Sequence, residues 1–198
     1  YCSHDGPGIR TNVFLKGCSL RCKWCGNPES IAPKPELAYD PNACVGKKEC
    51  GLCLKPPFPE GAFYVPERAA DDKVKVNWQL AMDCDETMVS LCPPKALSMY
   101  GKRMTVDEVL DEVEKDASFY RTTGGGITLS GGECMLQPDF SAALLAGAHE
   151  RGFNTAIETA CNVPWRFVEK VLPHVDTMLH DHKMTIPERH KKWVGVDN

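Results

Sequence analysis

Three cysteines near the start of the chain have the spacing of a metal-cluster site. Cys18, Cys22 and Cys25 lie in a C-x3-C-x2-C pattern. A structural zinc site usually needs four closed ligands, and an iron-sulfur cube also has four corners. Three thiolates on a cube would leave one iron open to bind a small molecule. The spacing therefore predicts a chemically active cluster, and a zinc site that borrows a histidine or a distant cysteine is the alternative.

The composition restricts the classes of protein that could carry such a site. Eleven cysteines in 198 residues, with no secretory signal at the start, favour bound metal over a disulfide framework. The 23 basic and 27 acidic residues leave a net charge of −4, which gives no attraction to nucleic acid or to an anionic membrane. No apolar run approaches the roughly 18 residues that span a bilayer. We expect a cytoplasmic enzyme or protein-binding module without nucleic-acid or membrane partners.

Strands that alternate with helices are predicted to position the cysteines. The candidate strands are residues 9–15, 127–130, 153–159 and 175–179. A capping box at Thr105 and Glu108 predicts a helix whose apolar positions continue to Ala117, and further helices are expected at about 139–151 and from residue 165. This alternation predicts a parallel sheet with right-handed crossovers and functional residues at the carboxyl ends of its strands.

Residues 33–97 interrupt the alternation as a loop-rich insert. Seven prolines between positions 33 and 66 exclude long helices there. The cysteine pattern of the insert is similar to a degenerate bacterial-type ferredoxin, in which each half gives three thiolates to one cluster and one thiolate to the other. The thiols that remain predict one additional 4Fe-4S cluster, with Cys84 as a rival fourth ligand and a zinc knuckle as the alternative. Its predicted ligands are Cys44, Cys50, Cys53 and Cys92.

Four separated stretches together resemble the radical S-adenosylmethionine (SAM) enzymes, and among them the glycyl-radical-enzyme activating enzymes. The stretches are Asp5-Gly6-Pro7-Gly8-Ile9-Arg10-Thr11, the cysteine triplet with Gly26-Asn27-Pro28-Glu29-Ser30, Leu129-Ser130-Gly131-Gly132-Glu133, and Asp181-His182-Lys183 with Gly195-Val196-Asp197-Asn198. The first stretch and the cysteine-bearing insert are typical of the activating enzymes. Within that group three stretches, Gly-Asn-Pro-Glu-Ser, Ser-Gly-Gly-Glu-Cys and His-Asp-His-Lys, most resemble the activating enzymes of benzylsuccinate and alkylsuccinate synthases. The activating enzymes of other decarboxylases, lyases and dehydratases are the alternatives.

The resemblance implies an α/β fold with three segments. Residues 1–32 would form the first part of a (β/α) radical SAM barrel with its cluster loop, residues 33–97 the ferredoxin-like insert, and residues 98–198 the continuation of the barrel. Barrels of this family have six strands, whereas about four are recognisable here. We therefore expect a partial barrel, truncated after about four strands.

The resemblance also implies how SAM is held. The amino and carboxylate groups of SAM would chelate the open iron of the cluster on the cysteine triplet. Ser130, Gly131, Gly132 and Glu133 would bind the amino end, since glycines permit close approach and a carboxylate pairs with an ammonium. A bare strand-to-helix turn is the alternative for the two glycines. The family has proline after this glutamate, and Cys134 replaces it here.

Three other residues complete the implied site. Asp181 and Lys183 match the family's Asp-x-Lys, which contacts SAM or the substrate peptide; the alternative is a surface ion pair. Trp24 would pack against the cluster or the adenine of SAM. Cys2 and Cys161 have no partner that the sequence indicates.

The implied reaction begins when an electron donor such as flavodoxin or ferredoxin reduces the cluster. SAM is then cleaved to methionine and a 5′-deoxyadenosyl radical, which takes a hydrogen atom from a glycine Cα in the glycine loop of a large partner enzyme. The product is a stored glycyl radical. A radical SAM enzyme that acts on a small molecule or a peptide is one alternative, and a non-catalytic iron-sulfur electron carrier is another.

Overall fold

The computed structural model describes residues 4–67 and 71–198, so the unassigned Cys2 lies outside the described residues. One compact unit takes in the chain up to Lys34 together with Arg103–Asn198, and a second unit is Pro35–Lys102. The strands are β1 (Arg10–Leu15), β2 (Glu36–Tyr39), β3 (Phe63–Tyr64), β4 (Lys75–Val76), β5 (Leu97–Tyr100), β6 (Gly126–Gly131), β7 (Asn154–Thr159) and β8 (Thr177–His180). The α-helices are α1 (Glu86–Ser90), α2 (Val106–Glu114), α3 (Ala117–Thr123), α4 (Pro138–Glu150), α5 (Trp165–Val171) and α6 (Pro187–Val194).

The first unit is built on a four-stranded sheet in the order β1-β6-β7-β8. All three strand pairs are parallel, and the register places Arg10 opposite Gly126 and Leu15 opposite Gly131. The parallel sheet predicted from the strand-helix alternation is therefore confirmed. The carboxyl ends of its strands all lie at one edge, where Thr159 and His180 are the last residues of β7 and β8.

The two faces of this sheet have different chemistry. Ile127, Leu129 and Ile157 are fully buried in the apolar core, which also contains residues of α2, α4 and α5. Because side chains alternate along a strand, the residues between them belong to the opposite face. That face is polar, and the buried side chains of Arg10 and Thr128 are hydrogen-bonded to one another there.

The helix predicted from Thr105 begins as expected but ends earlier. The reciprocal hydrogen bonds of Thr105 and Glu108 confirm the capping box. The helix ends at Glu114, and a separate helix starts at Ala117, because the backbone of Asp116 leaves the helical region (φ −100°, ψ 6°). The prediction that one helix runs to Ala117 is wrong.

The second unit contains only short elements. Strands β2 and β5 pair antiparallel, with Tyr39 opposite Leu97, and β3 pairs antiparallel with β4. Its one α-helix in the described residues is α1, which has five residues. Phe58 and Phe63 pack edge to face in its core, with ring centroids 5.3 Å apart. In the described part of the chain, no helix is both long and apolar enough to cross a membrane.

Candidate functional site

A cavity of about 630 Å³ lies in the first unit at the carboxyl ends of β6, β7 and β8. The triplet loop that follows β1 forms another of its walls. The ten residues predicted to hold the first cluster, bind SAM or contact the substrate all line this cavity. They are Cys18, Cys22, Trp24, Cys25, Ser130, Gly131, Gly132, Glu133, Asp181 and Lys183. Stretches far apart in the sequence therefore meet around one space.

The loop that carries the three cysteines is held on two sides. At its start, the backbone N–H of Cys18 donates to the Ile31 carbonyl oxygen at 3.0 Å. Further along, the N–H of Arg21 donates to the carbonyl oxygen of Val194 at the end of α6, at 2.8 Å. Cys18 and Cys22 are half-buried, whereas Cys25 is exposed. The loop thus has a fixed backbone and one cysteine open to solvent.

The three thiols line one cavity and are soft donors of the type that iron-sulfur clusters use. Burial raises the pKa of Cys18 and that of Cys22, although the Lys183 ammonium acts in the opposite direction on Cys22. Metal binding overrides such a shift, because a coordinating thiol is deprotonated outright. Across residues 4–67 and 71–198, no three His, Cys, Asp or Glu side chains are placed to hold a single metal ion.

Gly131 and Gly132 allow the end of β6 to touch the start of the cysteine loop. Gly131 has a left-handed φ of +101°, and a Cβ on Gly132 would stand 2.2 Å from the carbonyl oxygen of Gly17. The Gly132 N–H donates to the Leu15 carbonyl oxygen at 2.9 Å. The close approach that two glycines predict is therefore made to the protein's own backbone, while both residues still line the cavity.

Glu133 joins the ends of β6 and β7. Its side chain is 2% exposed. The carboxylate oxygens accept from the Thr159 hydroxyl at 2.7 and 2.9 Å, from the Ala160 N–H at 3.1 Å and from the Met135 N–H at 3.2 Å. Burial raises the pKa of Glu133, and these donors offset part of the rise. A buried carboxylate at the cavity wall is suited to a cationic group.

Two residues at the end of β7 contribute to the site although they were not predicted from the sequence. Thr159 anchors Glu133, and Glu158 lines the cavity. The Ser130 hydroxyl donates to the Glu158 carboxylate at 2.5 Å. Burial raises the pKa of Glu158, and the nearby Asp5 carboxyl raises it further. The sequence feature that could have indicated both residues is the polar end of the predicted strand 153–159.

Asp181 and Lys183 form an ion pair with each other at the cavity wall. The Lys183 side chain is 18% exposed and that of Asp181 is 59% exposed. Burial alone would lower the pKa of Lys183, but the Asp181 carboxylate raises it overall. The ion pair considered as the alternative is thus present, and contact of either residue with SAM or a peptide stays a prediction.

A second, smaller cavity lies inside the Pro35–Lys102 unit and is lined by Cys44, Cys50, Cys53 and Cys92. Burial and the neighbouring thiols raise the pKa of Cys53 to about 11. Cys84 is not one of the described residues that line this cavity. It belongs instead to the apolar core of the unit. The four predicted ligands therefore line one cavity and Cys84 does not, while their role as cluster ligands stays a prediction.

Two further thiols lie near the first cavity. Cys134 is fully buried in the apolar core of the first unit, and burial raises its pKa. Its thiol contacts the Glu158 carbonyl oxygen at 3.5 Å. Cys161 is partly buried against the same core. Both occupy packing positions.

Comparison with known proteins gives a match that covers nearly the whole chain. The family described as the 4Fe-4S single cluster domain matches residues 4–192. The isethionate sulfite-lyase activating enzyme of Nitratidesulfovibrio vulgaris is 44% identical over 198 residues, which cover 100% of this chain and 63% of the relative.

Other curated relatives are similar at the same level. The indoleacetate decarboxylase activating enzyme of Tractidigestivibacter scatoligenes is 42% identical over 205 residues, covering 100% of this chain and 63% of the relative. The choline trimethylamine-lyase activating enzyme of Oleidesulfovibrio alaskensis is 39% identical over 200 residues, covering 100% of this chain and 62% of the relative. The chain therefore spans somewhat less than two thirds of the length of these relatives.

Proposed function

We propose that this chain, which belongs to the family of the 4Fe-4S single cluster domain, acts as a radical SAM activating enzyme. The resemblance to glycyl-radical-enzyme activating enzymes is confirmed by relatives that are named activating enzymes. In the proposed activity, SAM is cleaved reductively and a glycine Cα hydrogen of a large partner enzyme is abstracted, which leaves a glycyl radical. The activating enzymes of benzylsuccinate and alkylsuccinate synthases stay one candidate branch.

One observation carries the proposal. The three cysteines, the Ser-Gly-Gly-Glu stretch and the Asp-x-Lys pair come from positions 18 to 183, yet they line a single cavity. A passive electron carrier has no need for a roomy cavity beside its cluster, whereas an enzyme that binds SAM does. The carboxyl-terminal edge of a parallel sheet is also where α/β enzymes place their ligands.

The residues at this edge would each contact a different part of the cluster or of SAM. Cys18, Cys22 and Cys25 would hold a 4Fe-4S cluster, which supplies the electron for cleavage and an open iron when bound. Glu133 would accept a hydrogen bond from the SAM amino group at its buried position, and Trp24 would pack against the cluster or the adenine. Lys183 would orient a carboxylate, either of SAM or of the substrate peptide.

The finer architecture is part of the same proposal. The four-stranded parallel sheet would be part of a (β/α) barrel, and residues 33–97 would form a ferredoxin-like insert. Cys44, Cys50, Cys53 and Cys92 would hold an additional 4Fe-4S cluster, as their shared cavity supports. The electron would come from a flavodoxin or a ferredoxin.

The test of the proposed reaction uses single cysteine variants of the reconstituted full-length protein. Cys18→Ala, Cys22→Ala and Cys25→Ala should each abolish the formation of 5′-deoxyadenosine from SAM under anaerobic reduction, because each removes a ligand from a site with three. Cys161→Ala is the matched control and should retain the activity. Near-normal 5′-deoxyadenosine formation by any triplet variant would refute the cluster assignment.

The alternatives predict other outcomes in the same assay. An electron carrier would bind no SAM and form no 5′-deoxyadenosine. A radical SAM enzyme that acts on a small molecule or a peptide would cleave SAM but would place no radical on a large partner enzyme.

A further inference from the structure

We propose that the surface formed by the cysteine loop and the end of α6 is the docking face for an acidic one-electron carrier protein, and that the electron enters near Cys25. We name this surface, which consists of residues 21–25 and 191–194, the basic face. The inference rests on the proposed function, because it takes the cysteine triplet to hold the cluster that must be reduced. It adds the place of electron entry and the charge of the donor.

The exposed side of the triplet fixes where a donor must come close. Of the three cysteines, Cys25 alone is exposed. Its neighbour Trp24 is 49% exposed and also lines the cavity. Cys18 and Cys22 are half-buried, so a cluster on the triplet would be nearest to solvent on the Cys25 side. A donor protein that docks there has the shortest route for the electron.

The chain segments of the basic face are rich in cationic residues, although the chain as a whole carries a net charge of −4. The nearby Asp181 carboxylate is paired with Lys183. Residues 18–27 contain Arg21 and Lys23 and no acidic residue. The end of α6 adds Lys191 and Lys192, which are exposed, and among residues 189–198 Asp197 is the one acidic residue. Asp197 pairs with Lys191. The face therefore keeps a local surplus of cationic side chains.

The cationic side chains are held in place by packing. Lys23 Nζ lies 5.0 Å from the centroid of the Trp193 ring, and Lys192 Nζ lies 5.2 Å from the same centroid. The Lys23 N–H donates to the Trp193 carbonyl oxygen at 3.0 Å, which fixes the loop against the helix end. Trp193 itself is 38% exposed. Two ammonium groups over one half-exposed indole give a preformed surface, both cationic and apolar.

Such a surface suits a transient electron-transfer partner. Encounters of this kind bury little area, and opposite charges on the two proteins raise the rate of association. In the step itself the reduced carrier loses one electron and the oxidised cluster gains it, with no bond made or broken. The partner is therefore an acidic carrier of low reduction potential.

The test measures how fast the cluster on Cys18, Cys22 and Cys25 is reduced in the full-length protein. The probe is an acidic flavodoxin in its hydroquinone state, mixed anaerobically in a stopped-flow instrument. The variant Lys23→Glu/Lys192→Glu should lower the second-order rate constant at least tenfold at low ionic strength, and Lys23→Gln should lower it by less. The matched control is Lys115→Glu/Arg121→Glu, which makes the same change of net charge on exposed residues of the α2–α3 segment and should leave the rate constant within twofold.

Two further measurements separate the outcomes. Photoreduced deazaflavin, a small reductant that needs no docking, should reduce the cluster equally in every variant and give the same electron paramagnetic resonance signal. Salt should slow the flavodoxin reaction of the unaltered protein, because the Debye length falls from about 10 Å at 0.1 M to about 3 Å at 1 M. If deazaflavin gave no electron paramagnetic resonance signal of a reduced cluster even in the unaltered protein, the proposed function would be refuted. A normal signal with a flavodoxin rate constant that depends neither on the basic-face residues nor on salt would overturn the docking face alone.

Discussion

Replacement of the buried Arg10 should loosen the sheet that positions the site. Arg10 is fully buried, and its guanidinium donates five hydrogen bonds. The acceptors are the Thr128 hydroxyl, the Pro7 and Ile127 carbonyl oxygens, and both the side-chain and the backbone oxygen of Asn154. The network joins β1, β6 and β7 to the loop that carries Asp5. In Arg10→Met the side chain keeps its apolar stem while all five acceptors lose their donor.

The expected cost follows from these contacts. Five hydrogen bonds at a net value of about 1 kcal/mol each would give about 5 kcal/mol. Removal of a buried charge returns part of that cost, since burial already lowers the pKa of Arg10. We therefore expect the free energy of local opening to fall by about 3 kcal/mol in Arg10→Met. The value for Arg10→Lys should lie between those of Arg10→Met and the unaltered protein, because an ammonium reaches fewer acceptors than a guanidinium.

Native-state hydrogen exchange of the β6 amides measures this opening directly. The amides of Ile127 and Leu129 should exchange roughly 150-fold faster in Arg10→Met, which corresponds to about 3 kcal/mol. Arg166→Met, at an exposed position in α5, is the control and should change their exchange by less than about twofold. Unchanged protection of the β6 amides in Arg10→Met would refute the view that this guanidinium holds the sheet together.

Three further predictions test other parts of the molecule. Burial acts to raise the pKa of Asp176, but donors from Thr155 and His149 lower it below the ordinary 3.8. Since the folded pKa is the lower one, the stabilisation is complete above the ordinary value and is lost as the pH falls through the folded value. When the pH is lowered below about 4, the free energy of unfolding should therefore fall less in Asp176→Asn than in the unaltered protein. The difference should be under about 1 kcal/mol, because the site is half-exposed. Glu133→Gln should weaken SAM binding about tenfold to a hundredfold in calorimetry, because a buried charged partner is lost; unchanged affinity would contradict the role given to Glu133. Reconstituted protein should contain about eight irons, of which Cys92→Ala should lose about four and Cys84→Ala none; about four irons with one zinc would instead indicate a zinc knuckle.

Local sequence patterns were sufficient for the four strands of the parallel sheet, but they did not predict the four short strands of the second unit. The strands 9–15 and 153–159 were predicted within one residue of β1 and β7, because hydrophobic alternation is a local property of the chain. The spacing of the cysteine triplet indicated a metal cluster by itself, whereas the Ser-Gly-Gly-Glu stretch was recognised through the resemblance to the radical SAM enzymes. These features need no knowledge of distant contacts.

The features that were missed depend on contacts between distant residues. Glu133 is anchored by Thr159, 26 positions later, and nothing local to either residue indicates that pairing. The network of Arg10 reaches Asn154 across 144 positions. The break between α2 and α3 at Asp116 lies inside an apolar repeat that continues through it. Asp116 accepts a hydrogen bond from Thr11 on β1, which is a tertiary contact that periodicity cannot show.

The most direct test of the central claim is the detection of a glycyl radical on a partner enzyme. The reduced full-length protein is mixed anaerobically with SAM and a large enzyme that carries a C-terminal glycine loop, chosen from the reading frames next to this one. Electron paramagnetic resonance should show a doublet on the large enzyme, split by the one remaining α-hydrogen. The doublet should collapse to a singlet when that enzyme is made with α-deuterated glycine. Formation of 5′-deoxyadenosine with no radical on any glycine-loop partner would contradict the account.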